Sequence, residues 1–215
     1  MSYAIKEIYF TLQGEGAHAG RPAVFLRFTG CNLWTGREED RQKAVCQFCD
    51  TNFIGTDGPR GGVYAAARKI AEAVDGCWPK NDDGGWVGNK LVVCTGGEPL
   101  LQLDTAIIEA LHDLDFTVAI ETNGTKLPPD GVDWVCVSPK ANAPLVLTQG
   151  NELKLVYPQV GADPSRFTSL EFDRFFLQPM DGPSQSENTQ LAAQYCLEHP
   201  HWELSLQTHK LIGLP

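Results

Sequence analysis

The stretch that decides the fold is Lys-Leu-Val-Val-Cys-Thr-Gly-Gly-Glu-Pro, residues 90–99, in which a β-branched apolar run passes directly into a polar glycine turn. Such a run is typical of a strand buried on both faces, and the polar residues after it mark the end of that strand. Six further runs share this pattern, so the sequence predicts strands at 23–28, 90–94, 116–120, 133–137, 152–157, 172–177 and 202–206.

Apolar residues recur at helical spacing between some of these strands. They predict a helix between Val63 and Val74 and another between Leu103 and Leu114, while Ser186 is expected to cap a third helix that reaches about Leu197. Alternating strands and helices favour a parallel sheet. The connections after Ile120 and Val137 are too short or too rich in proline for full crossover helices.

These elements predict an α/β fold, a partial, eroded (β/α) barrel instead of a complete eight-fold one. With 215 residues, of which 42% are hydrophobic, the chain is long enough for one core, so we expect a single domain over residues 1–215. Segments 55–62 and 79–88 are rich in Gly, Asp and Pro and are expected to be surface loops.

Charge and composition exclude several classes of function. Seventeen basic residues against 27 acidic ones give a net charge of -10, which argues against nucleic-acid binding. No apolar run approaches the length of a membrane span, and the first ten residues have no signal-peptide pattern, so no membrane association is expected. An odd number of cysteines, seven, argues against a disulfide framework and for a reducing compartment, the cytoplasm.

Polar residues collect where five of the predicted strands end. In a parallel barrel all the carboxyl ends of the strands open on one face, so we expect these groups to share one site. The groups are Thr95 to Pro99, Glu121 to Gly124, Ser138 to Lys140, Gln178 to Asp181, and Gln207 to Lys210.

Three cysteines form a local group near the first of these strands. Cys31 is followed by 14 residues, and then by Cys46 and Cys49 with a two-residue gap. Three thiolates suit a four-iron cluster with one open iron, whereas structural zinc normally has four protein ligands. From spacing alone, a zinc site completed by His18 or Cys94, or three unconnected core cysteines, stay open as alternatives.

The cysteine group together with TGGEP at 95–99 resembles the radical S-adenosylmethionine superfamily. In that superfamily the segment matching TGGEP binds the amino group of the methionine moiety. The superfamily's usual cysteine spacing is three and then two residues, and this chain departs from it with 14 and then two. We expect the inserted residues 32–45 to be charged and exposed.

Further segments narrow this resemblance. The whole set is similar to the 7-carboxy-7-deazaguanine synthase family, and it covers nearly the whole chain: YFTLQGEG at 9–16, VFLRFTGCNL at 24–33, CDT at 49–51, ETNG at 121–124, SPK at 138–140, LQP at 177–179 and LSLQTHK at 204–210. The resemblance implies a barrel of the radical S-adenosylmethionine type. It also implies conversion of 6-carboxy-5,6,7,8-tetrahydropterin to 7-carboxy-7-deazaguanine with loss of ammonia, on the route to queuosine.

The resemblance also implies the cofactors and partners. Members need S-adenosylmethionine, a 4Fe-4S cluster and Mg²⁺, with a deoxyadenosyl radical that takes hydrogen from the substrate. A homodimer and a reducing electron donor such as flavodoxin are expected as well.

Site residues are implied position by position. For the pterin they are Leu12, Gln13, Gly14, Glu15, Arg27, Thr95, Glu121, Asn123, His209 and the terminal carboxylate of Pro215. For S-adenosylmethionine they are Phe48, Asp50, Gly97, Ser138, Pro139, Lys140, Gln178, Pro179, Met180 and Asp181. For metals they are Cys31, Cys46 and Cys49 on the cluster and Thr51 on Mg²⁺.

Independently of the resemblance, Arg27 is a lone charge within the apolar run AVFLRF, and a charge buried in a strand is usually paired. A bidentate bond to the substrate carboxylate suits its guanidinium. Two alternatives remain: another short radical enzyme of the glycyl-radical activase type, and a non-catalytic iron-sulfur or zinc module.

Overall fold

The structure is a computed structural model that describes residues 2–83, 85 and 87–215. Positions 84 and 86, which belong to the loop predicted at 79–88, lie outside the described residues. None of the helices in the described part of the chain has the length and apolar character that crossing a bilayer requires.

In the part of the chain that the structure describes, nine strands form one open sheet, in the order β3-β1-β2-β4-β5-β6-β7-β8-β9. The two edges are β3 and β9, so the sheet does not close into a barrel. The strands are β1 (Tyr3–Leu12), β2 (Pro22–Phe28), β3 (Gly62–Tyr64), β4 (Leu91–Gly96), β5 (Thr117–Thr122), β6 (Trp134–Val137), β7 (Gln149–Tyr157), β8 (Glu171–Pro179) and β9 (Glu203–Leu204).

All seven strands predicted from apolar runs are present. They are β2 and β4 to β9, and within this set each strand pairs in parallel with the next one in the sheet. Central strands such as β4 and β5 are buried on both faces, which explains their unbroken apolar sequences. The expected α/β class with a partial barrel is therefore confirmed. As predicted, the described residues between β5 and β6 and between β6 and β7 contain no helix.

Two strands were missed, and both lie at the antiparallel end of the sheet. β1 pairs with β2 and β3, but Lys6 and Glu7 interrupt its apolar pattern, and its register shifts between Ile5 and Glu7. The helix predicted between Val63 and Val74 is present over Ala67–Asp75, and only its start was wrong, because Val63 belongs to β3, where it lies opposite Ala4. The loop predicted at 55–62 likewise ends in this strand.

Four α-helices accompany the sheet: α1 (Ala67–Asp75), α2 (Thr105–His112), α3 (Gln185–Glu198) and α4 (Thr208–Ile212). The apolar faces of α1 and α2 pack in the main core with residues of β1, β2, β4 and β5. Asp104 caps α2, because its carboxylate accepts a hydrogen bond from Ile107 N at 3.1 Å. Ser186 is not a cap, since α3 already begins at Gln185.

The end of the chain differs most from expectation. The last predicted strand, 202–206, is reduced to the two residues of β9, and α4 follows it at once. Thr208 N donates to Gly14 O at 2.9 Å, so the chain turns back over the β1–β2 hairpin instead of continuing the sheet. This return brings the last residues to the carboxyl ends of the strands.

The central strand β5 predicts where the stability of the sheet is most sensitive. Ile120 is fully buried in the main core, so Ile120→Ala should lower the free energy of unfolding by about 2–5 kcal/mol. Val63 lies on the edge strand with 70% of its surface exposed, so Val63→Ala should change it by less than about 0.5 kcal/mol. Urea unfolding followed by circular dichroism measures both, and equal effects would contradict the assignment of β5 to the core.

Candidate functional site

A cavity with two connected lobes opens at the carboxyl ends of the parallel strands. The cysteine lobe is lined by Cys31, Cys46 and Cys49 and has a volume of about 180 Å³. The C-terminal lobe is lined by Leu12, Gln13, Arg27, His209 and Pro215 and has a volume of about 310 Å³. Six residues line both lobes and join them into one site: Glu15, Asp50, Thr51, Thr95, Glu121 and Gln207.

Each of the five polar groups expected at strand ends contributes to this cavity. Of the residues named from the sequence, only Pro139 does not line a lobe, and its carbonyl instead accepts a hydrogen bond from Gln159 Nε2 at 3.3 Å. The cysteine lobe receives Phe48, Gly97, Asn123, Ser138, Lys140, Gln178, Pro179, Met180 and Asp181, and the C-terminal lobe receives Gly14.

The three cysteines are free thiols that face the same space. A hydrogen bond from the Cys46 thiol lowers the pKa of Cys49 to about 6, and the same bond raises the pKa of Cys46. Burial raises the pKa of Cys31. Cys49 is therefore a thiolate near neutral pH, which is the form that binds metal.

The three cysteine sulfurs do not form a compact group of metal ligands. Thiolates on a tetrahedral zinc lie about 3.8 Å apart. Among the described residues, the only group of three potential ligands within 4.8 Å of one another is Glu121, Cys136 and Glu152. The sulfurs of Cys31, Cys46 and Cys49 are therefore not all within 4.8 Å of one another, although Cys46 and Cys49 share a hydrogen bond.

Neither proposed fourth ligand for zinc is in the cavity. Cys94 is buried in the main core, and His18 packs its ring 4.3 Å from that of Trp134. The readings as a zinc site completed by either residue, or as three unconnected cysteines, are therefore wrong.

The inserted segment 32–45 is not wholly exposed, contrary to expectation. Leu33 and Trp34 are buried and line the cysteine lobe, and residues Glu38–Lys43 form a 3-10 helix. The Arg41 guanidinium lies 4.1 Å from the centre of the Trp34 ring and donates from Nη1 to the carbonyls of Gln47 at 2.8 Å and Cys49 at 3.0 Å. The insertion thus supports the loop that carries two of the cysteines.

Two features of the cysteine lobe suit a bound organic cofactor. A Cβ at Gly97 would collide with the carbonyl of Gly30 and lie 2.8 Å from Cys31 Cβ, so only glycine allows this strand end to approach the cysteine. The amide oxygen of Gln178 is buried without a hydrogen-bond partner in the described part of the chain. A ligand with a donor group would satisfy that oxygen.

Glu98 of TGGEP does not offer its carboxylate to the cavity, contrary to the expectation of a carboxyl group at the mouth. It is fully buried and accepts hydrogen bonds from Thr122 Oγ1 and Asn123 N, both at 2.8 Å. Burial raises the pKa of Glu98. Its role is to tie the ends of β4 and β5 together.

The loop between β1 and β2 carries acceptors and donors into the C-terminal lobe. Gln13 Nε2 donates to Glu121 Oε1 at 3.1 Å, and its Oε1 accepts from Glu15 N at 3.2 Å. A Cβ at Gly14 would collide with the His209 ring, so glycine is required for this close approach. Burial lowers the pKa of His209, which favours a neutral imidazole.

Arg27 is mostly buried and already paired across the β1–β2 hairpin. Its Nε donates to Glu7 Oε1 at 2.7 Å, and its Nη2 donates to Tyr9 Oη at 2.9 Å. These two contacts fix the guanidinium where it lines the C-terminal lobe. The sequence predicted that this charge would be paired, and the structure identifies its partner as Glu7. The contact with a substrate carboxylate stays a prediction.

Lys154 is the main functional candidate that sequence reasoning missed. This β7 residue lines the cysteine lobe, and its side chain is 3% exposed. Its ammonium contacts Glu15 Oε2 at 2.7 Å and Glu121 Oε2 at 2.8 Å. The available signal was a pair of charges, Glu152 and Lys154, on one face of the otherwise apolar run ELKLVY, which resembles the argument that singled out Arg27.

Burial and charge act against each other at this lysine. Burial alone would lower the pKa of Lys154, but neighbouring groups that include the Glu121, Glu15 and Glu152 carboxylates raise it well above its ordinary value. Burial likewise opposes ionisation of Glu15, yet Lys154 brings the pKa of that carboxyl down to about 2. Burial raises the pKa of Glu121 in spite of the same partner.

The C-terminal segment crosses the mouth of the cavity. Gln207, which was expected at the site as part of a strand-end group but was given no role of its own, donates from Nε2 to Glu15 Oε1 at 3.0 Å. Lys210 contacts Asp50 at 2.5 Å and Asp181 at 2.7 Å, so it joins the cysteine loop to the end of β8. Pro215 O accepts from Thr11 Oγ1 at 3.3 Å.

The chain is similar in sequence and in structure to known proteins. No family model matches it. It is 62% identical to the 7-carboxy-7-deazaguanine synthase of Caulobacter vibrioides and 60% identical to that of Bordetella pertussis, each over the full length of both chains. The crystal structure of QueE from Escherichia coli superposes with a TM-score of 0.66 at 26% identity, covering 96% of this chain and 94% of that one.

These similarities confirm the resemblance stated from the sequence and the enzyme class that it implied. The chain is a carbon-nitrogen lyase of queuosine biosynthesis that forms 7-carboxy-7-deazaguanine, and it works with a 4Fe-4S cluster and S-adenosylmethionine. The glycyl-radical activase and the non-catalytic metal module are thereby excluded. Full-length identity of this order shows that the chain belongs to the 7-carboxy-7-deazaguanine synthase family of radical S-adenosylmethionine enzymes.

Proposed function

We propose that the two lobes divide the work of this reaction, the cysteine lobe holding the cluster with S-adenosylmethionine and the C-terminal lobe holding 6-carboxy-5,6,7,8-tetrahydropterin. The observation that carries this proposal is the shared boundary of the lobes at Glu15, Thr95 and Glu121. A substrate in one lobe is there within reach of a cofactor in the other, and such proximity is what a hydrogen transfer requires.

The cysteine lobe provides ligands and shape for the cofactors. Cys31, Cys46 and Cys49 hold the cluster, and Gly97 leaves room beside Cys31 for the methionine moiety. When bound, the cluster and S-adenosylmethionine supply a carbon-centred radical that takes a hydrogen atom from the substrate. The apolar walls of the lobe exclude water from that chemistry.

Polar side chains of this lobe orient S-adenosylmethionine. The unpaired oxygen of Gln178 accepts a hydrogen bond from the cofactor. The other residues that face it are Phe48, Asp50, Asn123, Ser138, Lys140, Pro179, Met180 and Asp181. Pro139 serves only to position its neighbours Ser138 and Lys140, since it does not line the lobe.

The C-terminal lobe recognises the pterin by complementary hydrogen bonding. Its amino-pyrimidinone edge is rich in donors, which suits the carboxylates of Glu15 and Glu121 and the amide of Gln13. Arg27 binds the substrate carboxylate with the part of its guanidinium that Glu7 and Tyr9 leave open. Leu12, Gly14, Thr95, His209 and Pro215 complete the lobe.

Mg²⁺ would bind at Thr51, which lies where the two lobes meet. Hard cations prefer oxygen ligands, and Mg²⁺ usually keeps several water ligands. One threonine oxygen is therefore enough from the protein, and the substrate carboxylate supplies another ligand. When bound, the ion supplies positive charge that neutralises that carboxylate.

The partners follow from the same chemistry. One electron is needed for each cleavage of S-adenosylmethionine, so a reducing protein such as flavodoxin serves as donor. Exposed apolar side chains of α4, Leu211 and Ile212, support a homodimer. Seven free cysteines suit a reducing cytoplasm.

The activity itself is tested by anaerobic reconstitution with iron and sulfide, followed by reductant, S-adenosylmethionine and 6-carboxy-5,6,7,8-tetrahydropterin. The proposal expects 7-carboxy-7-deazaguanine and ammonia in equal amounts. Cleavage of S-adenosylmethionine without pterin turnover would show that the C-terminal lobe is not the substrate site.

Replacement of the cluster ligands should remove iron. The reconstituted protein is expected to hold about four irons, and Cys31→Ala, Cys46→Ala or Cys49→Ala should lose most of it. Cys77→Ala and Cys196→Ala are matched controls, because these thiols lie outside the cavity. Iron analysis and the visible absorption spectrum give the result, and stoichiometric zinc without iron in the wild type would overturn the assignment.

Removal of the Thr51 hydroxyl should weaken the response to magnesium. We expect Mg²⁺ to raise turnover of the wild type, and Thr51→Ala to need about tenfold more Mg²⁺ for half of the effect while its iron content is unchanged. Thr51→Ser keeps the oxygen and should behave like the wild type. Equal stimulation of the alanine variant would place the ion elsewhere.

Shortening the C-terminal segment should affect the pterin more than S-adenosylmethionine. Deletion of Leu214 and Pro215 removes one wall of the C-terminal lobe, so KM for the pterin should rise at least about fivefold. Uncoupled cleavage of S-adenosylmethionine should stay within about twofold, because neither residue lines the cysteine lobe. Unaltered pterin kinetics would show that this segment is outside the substrate site.

A further inference from the structure

The buried side chain of Lys154 has no role in the functions assigned so far, although it contacts two residues at the boundary of the lobes. Lys154 sits in β7 between β6 and β8, and Glu152 precedes it on the same face of the strand. A lysine buried to 3% exposure is unusual unless it is paired.

The contacts of this lysine involve both lobes. Its ammonium reaches one oxygen of Glu15 at 2.7 Å and both oxygens of Glu121 at 2.8 and 2.9 Å. A lysine ammonium has three protons, so these contacts account for all of them. Lys154 therefore directs its whole bonding capacity to the two carboxylates at the boundary of the lobes.

Without this cation the carboxylates would repel one another. Glu121 lies within 4.8 Å of Glu152 and Cys136, and Glu15 shares the same ammonium. Glu152 is held separately by Ala17 N at 2.8 Å and Trp134 Nε1 at 3.3 Å. Since buried like charges favour protonation of one member, a site without Lys154 would lose an acceptor.

We propose that Lys154 is a positioning residue that holds Glu15 and Glu121 ionised and side by side, so that both accept hydrogen bonds from the donor-rich edge of the pterin. The inference rests on the proposed roles of these two carboxylates in the C-terminal lobe. Lys154 itself lines only the cysteine lobe, so it acts on the pterin through Glu15 and Glu121.

Three variants and one control test this role. Lys154→Met removes the charge at similar volume, Lys154→Arg keeps a charge, and Lys154→Met with Glu121→Gln removes both members of one pair. Lys90→Met is the matched control, since Lys90 has a 2% exposed side chain, pairs with Asp75 and lies outside both lobes.

Binding of 6-carboxypterin, a stable fluorescent analogue, is measured by its quenching, and KM and kcat are measured with the reduced substrate. Lys154→Met should weaken binding of the analogue and raise KM for the reduced pterin at least about tenfold. Lys154→Arg should recover part of the loss. Lys90→Met should bind the analogue like the wild type, although its melting temperature falls.

The pH dependence separates positioning from a merely structural role. Removing the cation raises the pKa of both carboxyls, so binding by Lys154→Met should weaken progressively from about pH 9 to about pH 6. Glu15 of the wild type, with a pKa of about 2, stays ionised over this range. Burial raises the pKa of the nearby Cys136 and lowers the pKa of Lys140 and His209, while the charge of Lys154 acts to lower all three. Burial raises the pKa of Glu121 even beside Lys154. The profile of Lys154→Met is therefore compared with that of Lys154→Arg, which keeps the cation. Glu152, which also faces the group, is present in every variant.

The double variant decides the matter if Lys154→Met does not fold. This variant has no uncompensated charge at position 121, so it should fold. It also lacks the Glu121 carboxylate, so it should still bind the analogue weakly. Wild-type binding and a wild-type pH profile in folded Lys154→Met, or in the folded double variant, would overturn the inference. Failure of the wild type to convert the reduced pterin would instead count against the proposed function.

Discussion

Parallel hydrogen bonding from β2 to β9 is the constraint on which the rest of the structure depends. It places the carboxyl ends of seven strands along one edge of the sheet, where residues distant in sequence become neighbours. The cysteine loop follows β2, the glycine turn follows β4, and the acceptors of Gln178 and Asp181 lie at the end of β8 or just after it. A cavity at this edge is a consequence of strand direction before any side chain is considered.

Antiparallel pairing at one end of the sheet gives the cavity its second half. The loop that joins β1 and β2 leaves from the amino end of β2 and carries Gln13 and Glu15 into the cavity, where Gln13 donates to Glu121. The C-terminal segment then packs on this loop through Thr208 and His209. Elements from both ends of the chain thus form the lobe that parallel strands alone would leave open.

The sequence was most informative where burial leaves a simple pattern. The seven parallel strands are recognisable because burial on both faces requires continuous apolar residues, and the strand-end clusters follow from them. β1 was hidden because Lys6 and Glu7 are paired with partners far away in the chain, Asp57 and Arg27. The two residues of β9 cannot bury enough apolar surface to show a pattern, and the helix after it is determined by contacts with Gly14.

The site was predictable residue by residue where motifs matched, but its internal pairing was not. Arg27 and Lys154 gave a similar signal, a charged residue within a largely apolar strand sequence. The partners of Lys154 lie 33 residues away in β5 and in the hairpin loop of another part of the chain, so only tertiary structure reveals them. The role of Glu98 could not be predicted from the sequence either, because its carboxylate oxygens accept hydrogen bonds from Thr122 and Asn123 at the end of the neighbouring strand.

The insertion between Cys31 and Cys46 has a cost in chain entropy. Lengthening a flexible loop from the three residues usual in the superfamily to 14 makes its closure less favourable by about 1.4 kcal/mol. Burial of Trp34 and the two hydrogen bonds from Arg41 to the carbonyls of Gln47 and Cys49 oppose that cost. Side-chain contacts therefore order the long loop. The number of residues between the first two cysteines can vary widely while the positions of the cysteines in space stay the same.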